Sequence, residues 1–400
     1  MNRHRYRLML LATVSVLGLA LVGCAGTSHV ENRRQADERY QKMRARLMLP
    51  LAQQQFEAGD LDQVDRTIVE ALRIDSANGD FHVLAGRVAV ERDRLERALH
   101  LFQHAIEVDS ELAPAHYYRG LVLQRWRRYE SAATSYRKAY KLEPDRPAYL
   151  LALGEMLVAL DRTDEALDLL QSKLTYFEHN VGLRVAIGQL YAITGDHDQA
   201  AMFLNEAHLL HPDDHQIQED LAIAQLTAGK YESAIRHLLE LTQKPSHRNR
   251  KDLAHAMAKA YLEVRNTAAA RAIYLRLARD KSDDEAWIKL GELAWSAGDT
   301  LGALSAAKHV MGLAPHREEG YLLAGMVWQE RGQFQEALRM YQKGAVQVPT
   351  SATSVLMRGL ALEKAGQIEE AANAYREALH RQPDDIRATA LLAKLRSREP

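Results

Sequence analysis

Hydrophobic and polar positions repeat along this chain with a period of 34 residues. In the copy at 352–385, apolar residues recur three and four positions apart in two segments, which is the spacing of one helix face. Gly366 separates the two segments and Pro383 follows the second, and both residue types end helices. Each copy therefore predicts a hairpin of two short helices, and the whole chain predicts a linear stack of such hairpins.

A small residue marks one fixed position in each of the two helices of a copy. Glycine or alanine at such a position lets two helices pack at the short end of the usual spacing of about 8–10 Å. The first-helix series is Ala52, Gly86, Gly120, Gly154, Gly188, Ala222, Ala258, Gly291, Gly325 and Gly359. The second-helix series is Val64, Ala98, Ala132, Ala166, Ala200, Ala234, Ala270, Ala303, Ala337 and Ala371. Both series step by 34 residues except for steps of 36 and 33 next to Ala258 and Ala270, so ten copies are predicted.

The turn between the two helices has its own residue pattern. A left-handed residue that ends a helix favours glycine, and the turn glycines are Gly59, Gly195, Gly229, Gly298, Gly332 and Gly366. An aspartate follows some of them as the predicted N-cap of the second helix, at Asp60, Asp196 and Asp299. Large residues one helical turn after the second-helix small residue, such as Phe102 and Tyr136, are predicted to be core.

This arrangement, over about 45–385, resembles the tetratricopeptide repeat family. The resemblance implies an all-α fold, a right-handed α-solenoid of about ten helix hairpins in which the first helices line a concave groove. Repeats one to six are assigned to 45–248 and repeats seven to ten to 249–385, on either side of the irregular step. Residues 386–400 are predicted to form a capping helix and tail, because the end of a repeat array needs a polar outer face.

The N-terminus has the pattern of a targeting segment. Arginines within residues 1–7 precede an uncharged apolar run from Leu8 to Val22, which is short for a membrane-spanning helix. The run ends in a Leu-Val-Gly-Cys sequence that closes on Cys24, the only cysteine of the chain. This sequence resembles a bacterial lipobox, in which the signal peptide is cut and the cysteine is acylated.

The lipobox resemblance fixes the predicted organisation of this region. Residues 1–23 are a signal peptide, and 24–44 hold the lipidated Cys24, a tether at 25–29 and a lead-in helix. Several acyl chains on one cysteine hold a protein durably on a membrane, whereas a single chain binds marginally. Ala25 after the cysteine resembles lipoproteins of the outer membrane, so the chain is expected to face the periplasm from that membrane.

The family resemblance also implies which first-helix residues face the groove. These residues are Tyr117, Leu121, Val158, Val185, Ile223, Leu226, Glu292, Trp295, Met326 and Leu360. The set is more apolar than a solvated face requires, so it predicts a surface for a peptide or helix of a partner, with Tyr117 and Trp295 as anchors. Alternatively, these side chains pack against the following repeat. A carboxylate clamp is not expected, because no asparagine occupies the position that the family uses for it.

The irregular step coincides with a basic segment between repeats six and seven. Its cations are Lys244, Arg248, Arg250 and Lys251. Three interpretations remain open for this segment: a tolerated surface loop, a hinge, or a patch for an acidic partner.

Charge and motif content narrow the function further. The 52 Lys and Arg residues balance 53 Asp and Glu residues, which gives no reason to expect a nucleic-acid partner. Phosphate-binding and hydrolase motifs are absent from the sequence. His208, His211 and His215 fall where a helix ends, so they are interpreted as a solvated turn and not as a metal site. No catalytic residue, metal or cofactor is predicted.

The sequence therefore predicts a non-catalytic scaffold for protein–protein interaction, held to the envelope by lipid. Lipoproteins that it resembles support envelope machines such as pilus, secretion or exopolysaccharide export systems. One alternative is an adaptor that regulates cell-wall enzymes, and another is an enzyme with an unrecognised site in the groove. A third alternative is a cytoplasmic adaptor held by an uncleaved N-terminal helix.

Overall fold

A computed structural model describes residues 3–280 and 282–396, with side chains from 29 to 395 apart from position 281. Within these ranges the chain forms α-helices joined by short turns, and no strand is found there. The helices divide into two compact units, of which the first ends at Leu190 and the second begins at Tyr191. The all-α fold predicted from the repeat pattern is confirmed.

The first unit is a stack of helix hairpins. Its helices are α1 (Arg3–Glu57), α2 (Leu61–Ile74), α3 (Gly79–Glu91), α4 (Leu95–Val108), α5 (Ala113–Arg125), α6 (Tyr129–Leu142), α7 (Pro147–Ala159), α8 (Thr163–Gln171) and most of α9 (Val181–Thr194). From α1 to α8 each helix packs on the next, and α3 also contacts the first helices on either side, α1 and α5. This is the packing of an α-solenoid, in which first helices share one face of the stack.

The second unit repeats the same packing. Its helices are α10 (His197–Leu210), α11 (His215–Thr227), α12 (Tyr231–Gln243), α13 (Lys251–Glu263), α14 (Thr267–Leu277), α15 (Asp284–Ser296), α16 (Thr300–Leu313), α17 (Glu318–Glu330), α18 (Phe334–Gln347), α19 (Thr353–Lys364), α20 (Ile368–Arg381) and α21 (Ile386–Arg396). Packing continues from α12 to α13, so the irregular step does not interrupt the stack. Leu392 and Leu395 of α21 are buried in one cluster with Tyr375, which confirms the predicted capping helix.

Close packing of the two helices of a hairpin explains the small residues. A methyl group at Gly86 would lie 2.4 Å from Cε1 of the Phe102 ring, and one at Gly325 would lie 2.4 Å from Cε1 of Tyr341. Atoms that close would overlap, so the ring of the second helix requires a glycine on the first. Gly154 faces the smaller Leu170, and a methyl group there would meet that side chain at 3.4 Å, an ordinary contact.

Left-handed residues occupy the hairpin turns, as predicted, but not all of them are glycines. The six predicted glycines have φ between 73° and 86°. Four further turns place a non-glycine residue in the same conformation: Asp93, Arg127, Asp161 and Arg265, with φ between 55° and 60°. The predicted N-caps are also confirmed, since Asp60, Asp196 and Asp299 each accept a hydrogen bond from the backbone three residues on.

The N-terminal helix differs from its prediction. The lead-in helix and the first helix of the first repeat are one continuous α1, which contains Pro50 and extends through the residues expected to form a tether at 25–29. The side chains of the predicted signal peptide and of Cys24 lie outside the described residues, so lipidation stays a prediction. In the part of the chain that was described, no helix is both long and apolar enough to cross a membrane.

Candidate partner-binding groove

First helices of the first unit form a pocket on their shared face. Its volume is about 360 Å³, and α1, α3, α5 and α7 all contribute to its walls. We call it the tyrosine pocket and define it by Gln53, Asp80, Arg87, Tyr117, Tyr118 and Tyr149. Four successive hairpins thus build one concave site, as expected for a groove lined by first helices.

Tyr117 is held in place by three other rings. Its ring centroid lies 4.9 Å from that of Tyr149, 5.2 Å from that of Tyr118 and 5.5 Å from that of Tyr136. Ring pairs at these separations are favourable beyond their buried area. Tyr136 and Tyr149 are buried, whereas Tyr117 is half-buried and keeps one side towards the pocket. Neighbouring rings thus restrict Tyr117 before any ligand binds.

Burial keeps these phenols protonated well above neutral pH. It raises the pKa of Tyr149 to about 12 and raises the pKa of Tyr117 above its ordinary value. The hydroxyl of Tyr136 donates a hydrogen bond to Oε1 of Gln124 at 2.6 Å. The cluster is therefore uncharged near neutral pH, and it offers aromatic surface and phenolic hydroxyls instead of phenolates.

Two cations and one acid complete the tyrosine pocket. The Arg87 guanidinium carbon lies 4.3 Å from the centroid of the Phe56 ring and 5.2 Å from that of Tyr118. An arginine stacked in this way keeps its in-plane N–H groups available for a ligand. Arg146 forms an ion pair with Glu143 at 3.0 Å. Burial, with a smaller contribution from the neighbouring Asp109, raises the pKa of Asp80.

Other residues predicted to line the groove of the first unit are also partly accessible. Leu121, Val158 and Val185 are half-buried, on α5, α7 and α9 respectively. Each leaves apolar surface for a ligand while the rest of the side chain packs within the stack. Their participation in partner binding stays a prediction.

In the second unit the predicted groove residues other than Leu226 range from half-buried to exposed, and several pack against core clusters. Trp295 and Met326 pack against the cluster that contains Ala303 and Leu323, and Leu360 packs against the cluster of Tyr375. Ile223 is 40% exposed. The exposed Glu292 accepts a hydrogen bond from Lys289 at 2.9 Å.

Leu226 requires a correction. It was predicted to face the groove, but it is 9% exposed and belongs to a cluster against which Tyr231 and Tyr261 pack. Tyr231 and Tyr261 cover this position, which the repeat pattern had assigned to the groove surface. Leu226 therefore offers little area to a partner.

Most cations of the basic segment are bound within the protein. Arg250 pairs with Glu219 of α11 at 2.7 Å, and Lys251 pairs with Asp280 after α14 at 2.5 Å. Nζ of Lys244 lies 2.6 Å from Nε2 of His215. The Arg250–Glu219 pair joins repeats six and seven across the irregular step, and the other two contacts lie within single repeats. Arg248 is exposed and forms no ion pair with a described residue, so it is the segment's main free charge.

The histidines next to Pro212 have separate surroundings. The ring of His208 packs edge-on against His237 at 5.3 Å, and the ring of His215 packs edge-on against His247 at 5.3 Å. His211 lies 3.9 Å from the Asp214 carboxylate. Throughout the described ranges, no group of three or more His, Cys, Asp or Glu side chains is placed to hold a metal ion.

Comparison with known proteins identifies the repeats. The tetratricopeptide repeat profile matches residues 119–175, 255–316, 322–386 and 356–395, so these segments are tetratricopeptide repeats. No curated protein is significantly similar in sequence.

Solved structures with the same kind of architecture are distant. Pseudomonas aeruginosa pilF is 18% identical with a TM-score of 0.46, covering 50% of this chain and 92% of its own. A tetratricopeptide repeat protein of Parabacteroides merdae is 17% identical with a TM-score of 0.43, covering 58% and 91%. YrrB, described as having an unusual peptide-binding site, is 21% identical with a TM-score of 0.37, covering 51% and 95%.

Sequence reasoning found Tyr117 but missed the residues around it. Tyr149 sits near the start of α7, outside the positions assigned to the groove, and reaches Tyr117 because neighbouring repeats are stacked. Tyr118 also lies outside those positions, whereas Arg87 shares the repeat position of Leu121 and was not named as a groove residue. The signal available in the sequence was the concentration of tyrosines at 117, 118, 136, 140 and 149 within two adjacent repeats.

Proposed function

We propose that this protein is a non-catalytic scaffold that captures a peptide or helical segment of a partner protein in the tyrosine pocket. Tetratricopeptide repeats supply a concave face built from successive first helices, and in the first unit that face carries an aromatic pocket. A partner segment gains affinity there from buried aromatic and aliphatic contacts, and specificity from the few polar groups of the wall.

The half-buried Tyr117 is the observation that carries the proposal. Three rings within 5.5 Å fix its orientation, so a ligand that packs on it does not have to order it first. Preorganised aromatic side chains at the centre of a site are the usual hot spots of protein–protein binding. Arg87 is restrained in the same way by two rings, and together they form a rigid anchor.

The second part of the proposal concerns location. We infer that Cys24 is acylated and holds the scaffold to the envelope, on the periplasmic side of an outer membrane. Support comes from the sequence alone: a basic start, an apolar run of signal-peptide length and a lipobox-like ending on the only cysteine. In that position the scaffold would hold parts of an envelope machine such as a pilus, secretion or exopolysaccharide export system.

Cross-linked co-purification from membranes tests capture by the pocket. We expect Tyr117→Ala to reduce recovery of the partner by roughly tenfold, because the central ring of the cluster is lost. Tyr117→Phe is the matched control, since it keeps the ring and should keep most of the recovery. Undiminished recovery with a folded Tyr117→Ala protein would rule out the pocket as the site of capture.

Membrane fractionation tests the anchor separately. Cys24→Ala should leave the repeats folded and release the protein from membranes after a carbonate wash, because the acylated residue is gone. Persistent sedimentation of the Cys24→Ala protein with membranes would show that something other than the lipid holds it.

A further inference from the structure

Arg119 breaks the pattern of its position in the repeat. The residue just before the first-helix small residue is apolar in eight copies: Leu51, Ala85, Leu153, Ile187, Leu221, Met257, Leu290 and Ala324. Arginine stands there in the two remaining copies, as Arg119 in α5 and as Arg358 in α19. A cation at a position built for packing needs a compensating partner, because burial disfavours its charge.

The two arginines have one partner in common. Arg119 Nη1 donates to Oε1 of Gln103 at 3.2 Å. Arg358 Nη1 donates to Oε1 of Gln342, the equivalent glutamine of its own preceding repeat. The side chains therefore lie in the same slot, between a first helix and the second helices on either side of it.

The two arginines differ in their charge compensation. Arg358 Nη2 donates to the carboxylate of Glu377 at 2.5 Å. The residue equivalent to Glu377 in the copy of Arg119 is Lys138. Arg119 instead donates through Nε to Oγ of Ser135 at 3.1 Å, and it forms no ion pair with a described residue. The copy of Arg358 thus carries its own counter-ion, Glu377, whereas the copy of Arg119 carries a second cation, Lys138, at the equivalent position.

Burial and the two neighbouring cations both act on the ionisable groups here. Burial lowers the pKa of Arg119. Burial also lowers the pKa of the nearby His116, and Arg119 and Lys138 both add to that effect. The one acid on the wall of the site is the exposed Glu96, which makes no ion pair with Arg119. An uncompensated guanidinium attracts an anion from outside.

Arg119 opens into a cavity that has room for such an anion. The cavity has a volume of about 600 Å³ between α4, α5 and α6, on the opposite side of α5 from Tyr117. Leu99 and Leu123 give it apolar wall, and Gln103, Thr134 and Ser135 give it polar wall. This volume accommodates a charged side chain together with an apolar neighbour in the same segment.

We propose that this cavity binds the carboxylate of a glutamate or aspartate side chain from a partner protein. The ligand would occupy the place on Arg119 that Glu377 fills on Arg358. A guanidinium fork matches a carboxylate through two parallel hydrogen bonds. Glu96 at the wall disfavours a more highly charged group such as phosphate. The first unit would then hold a partner on two faces, through aromatic contacts at Tyr117 and through charge at Arg119.

Calorimetric titration of the full chain in detergent with blocked peptides tests the site. The probe is acetyl-Leu-Leu-Glu-Leu-amide, compared with the same peptide carrying glutamine. We expect saturable binding of the glutamate peptide and at least tenfold weaker binding of the glutamine peptide. Lys138→Glu should weaken glutamate-peptide binding at least tenfold, because it supplies Arg119 with the internal partner that Arg358 already has.

Two further variants separate local binding from bulk charge. Lys364→Glu changes the net charge by the same amount at an exposed position of the second unit, so it should leave binding unchanged. Glu377→Gln removes the internal partner of Arg358 and should create a second, equivalent site. Thermal unfolding of each variant checks that the repeats stay folded, and Lys138→Glu should unfold at the same temperature as the unmodified chain or higher.

Several results would overturn the proposal. Absence of saturable binding to the unmodified chain, equal affinity for the glutamine peptide, or full affinity in Lys138→Glu would each exclude a carboxylate site at Arg119. Sulfate competing as well as the peptide at constant ionic strength would indicate a general anion site. If a glutamine peptide with a free C-terminus bound equally well, the ligand of the site would be a terminal carboxylate and not a side-chain carboxylate.

Discussion

The two units use the polar residues of their first-helix faces differently. In the second unit these residues join successive repeats: Arg317 pairs with Asp284 at 3.0 Å, Arg250 with Glu219 at 2.7 Å, and His255 Nε2 lies 3.2 Å from Asp283. In the first unit one such contact also occurs, from Gln124 of α5 to Glu155 of α7 at 3.4 Å, but Arg87 stacks on aromatic rings and has no ion-pair partner among the described residues.

The difference shows how one repeat frame serves two purposes. Polar side chains that bind the next repeat stiffen the stack but have little capacity left for a ligand. Side chains that are restrained by rings stay ordered and keep their hydrogen-bonding capacity. The groove face of the first unit is therefore the better binding surface, and that of the second unit is the better structural joint.

The largest expected effect concerns the close packing of helices against glycines, which the two units share. Gly86→Ala in the first unit and Gly325→Ala in the second should each lower the free energy of unfolding by about 1–3 kcal/mol, because the added methyl group would overlap an aromatic ring. Gly154→Ala is the matched control, since its methyl group would meet Leu170 at 3.4 Å. Urea unfolding measures all three. A similar loss at Gly154 would contradict ring contact as the cause, because alanine favours the helix more than glycine does and no overlap opposes it there.

Acidification should destabilise the second unit more than the first. Lys251 lowers the pKa of Asp280 to about 2, and Arg317 lowers the pKa of Glu319 below its ordinary value. A carboxyl group with a lowered pKa in the folded state contributes stability above its unfolded pKa of about 4, and that stability is lost as the pH falls towards the folded pKa. In the first unit burial raises the pKa of Asp80, so protonation of this carboxyl group at low pH favours the folded state instead of weakening it.

Hydrogen exchange at pH 3 and pH 7, corrected for intrinsic rates, measures this contrast. We expect protection in α13 to α17 to fall by roughly tenfold more than protection in α3 to α7. Lys251→Ala combined with Arg317→Ala should make the second unit weaker at pH 7 and less sensitive to acid. Equal losses in both units would show that the ion pairs of Lys251 and Arg317 contribute no more than ordinary exposed pairs.

The smallest effect concerns the turns, where the units again differ. The turns of the second unit are glycine except Arg265, whereas three of the four in the first unit hold Asp93, Arg127 and Asp161 at positive φ. Arg127→Gly and Arg265→Gly should each stabilise their unit by about 0.5–1 kcal/mol, because glycine adopts this conformation without strain. Gly229→Ala is the reverse control and should destabilise. Thermal unfolding measures these changes in stability. A loss of stability in Arg127→Gly would mean that the arginine side chain makes a contact whose loss outweighs the relief of backbone strain.

Much of the fold was predictable because the small residues recur at the same position in all ten copies. A single glycine at 86 or 120 means little, but the series at one spacing indicated close helix packing, and the overlap of Gly86 with the Phe102 ring gives the reason. The non-glycine turns escaped prediction, because Arg127 and Asp161 carry no local sign of a left-handed conformation. The continuous α1 also escaped, because the small and polar residues at 25–29 suggested a tether where the helix continues.

The candidate site was less predictable because it depends on contacts between repeats. Position within one helix identified Tyr117, yet the rings that hold it come from α5, α6 and α7, and Tyr149 belongs to the next repeat. Leu226 was also assigned to the groove by its position in the repeat, but it is covered by Tyr231 and Tyr261. The contrast between Arg119 and Arg358 likewise requires knowing that Glu377 reaches the guanidinium.

The most direct test of capture by the first unit is site-specific photocross-linking in cells. The cross-linking residue is placed at Gln53, which is exposed at the wall of the tyrosine pocket, or at Ile223, which occupies the equivalent repeat position in the second unit. Val69, 51% exposed on α2, is the control away from the pocket. We predict a discrete partner adduct from Gln53 that Tyr117→Ala abolishes, and none from Ile223 or Val69. An adduct from Ile223 alone, or one from Gln53 that persists in Tyr117→Ala, would contradict the account.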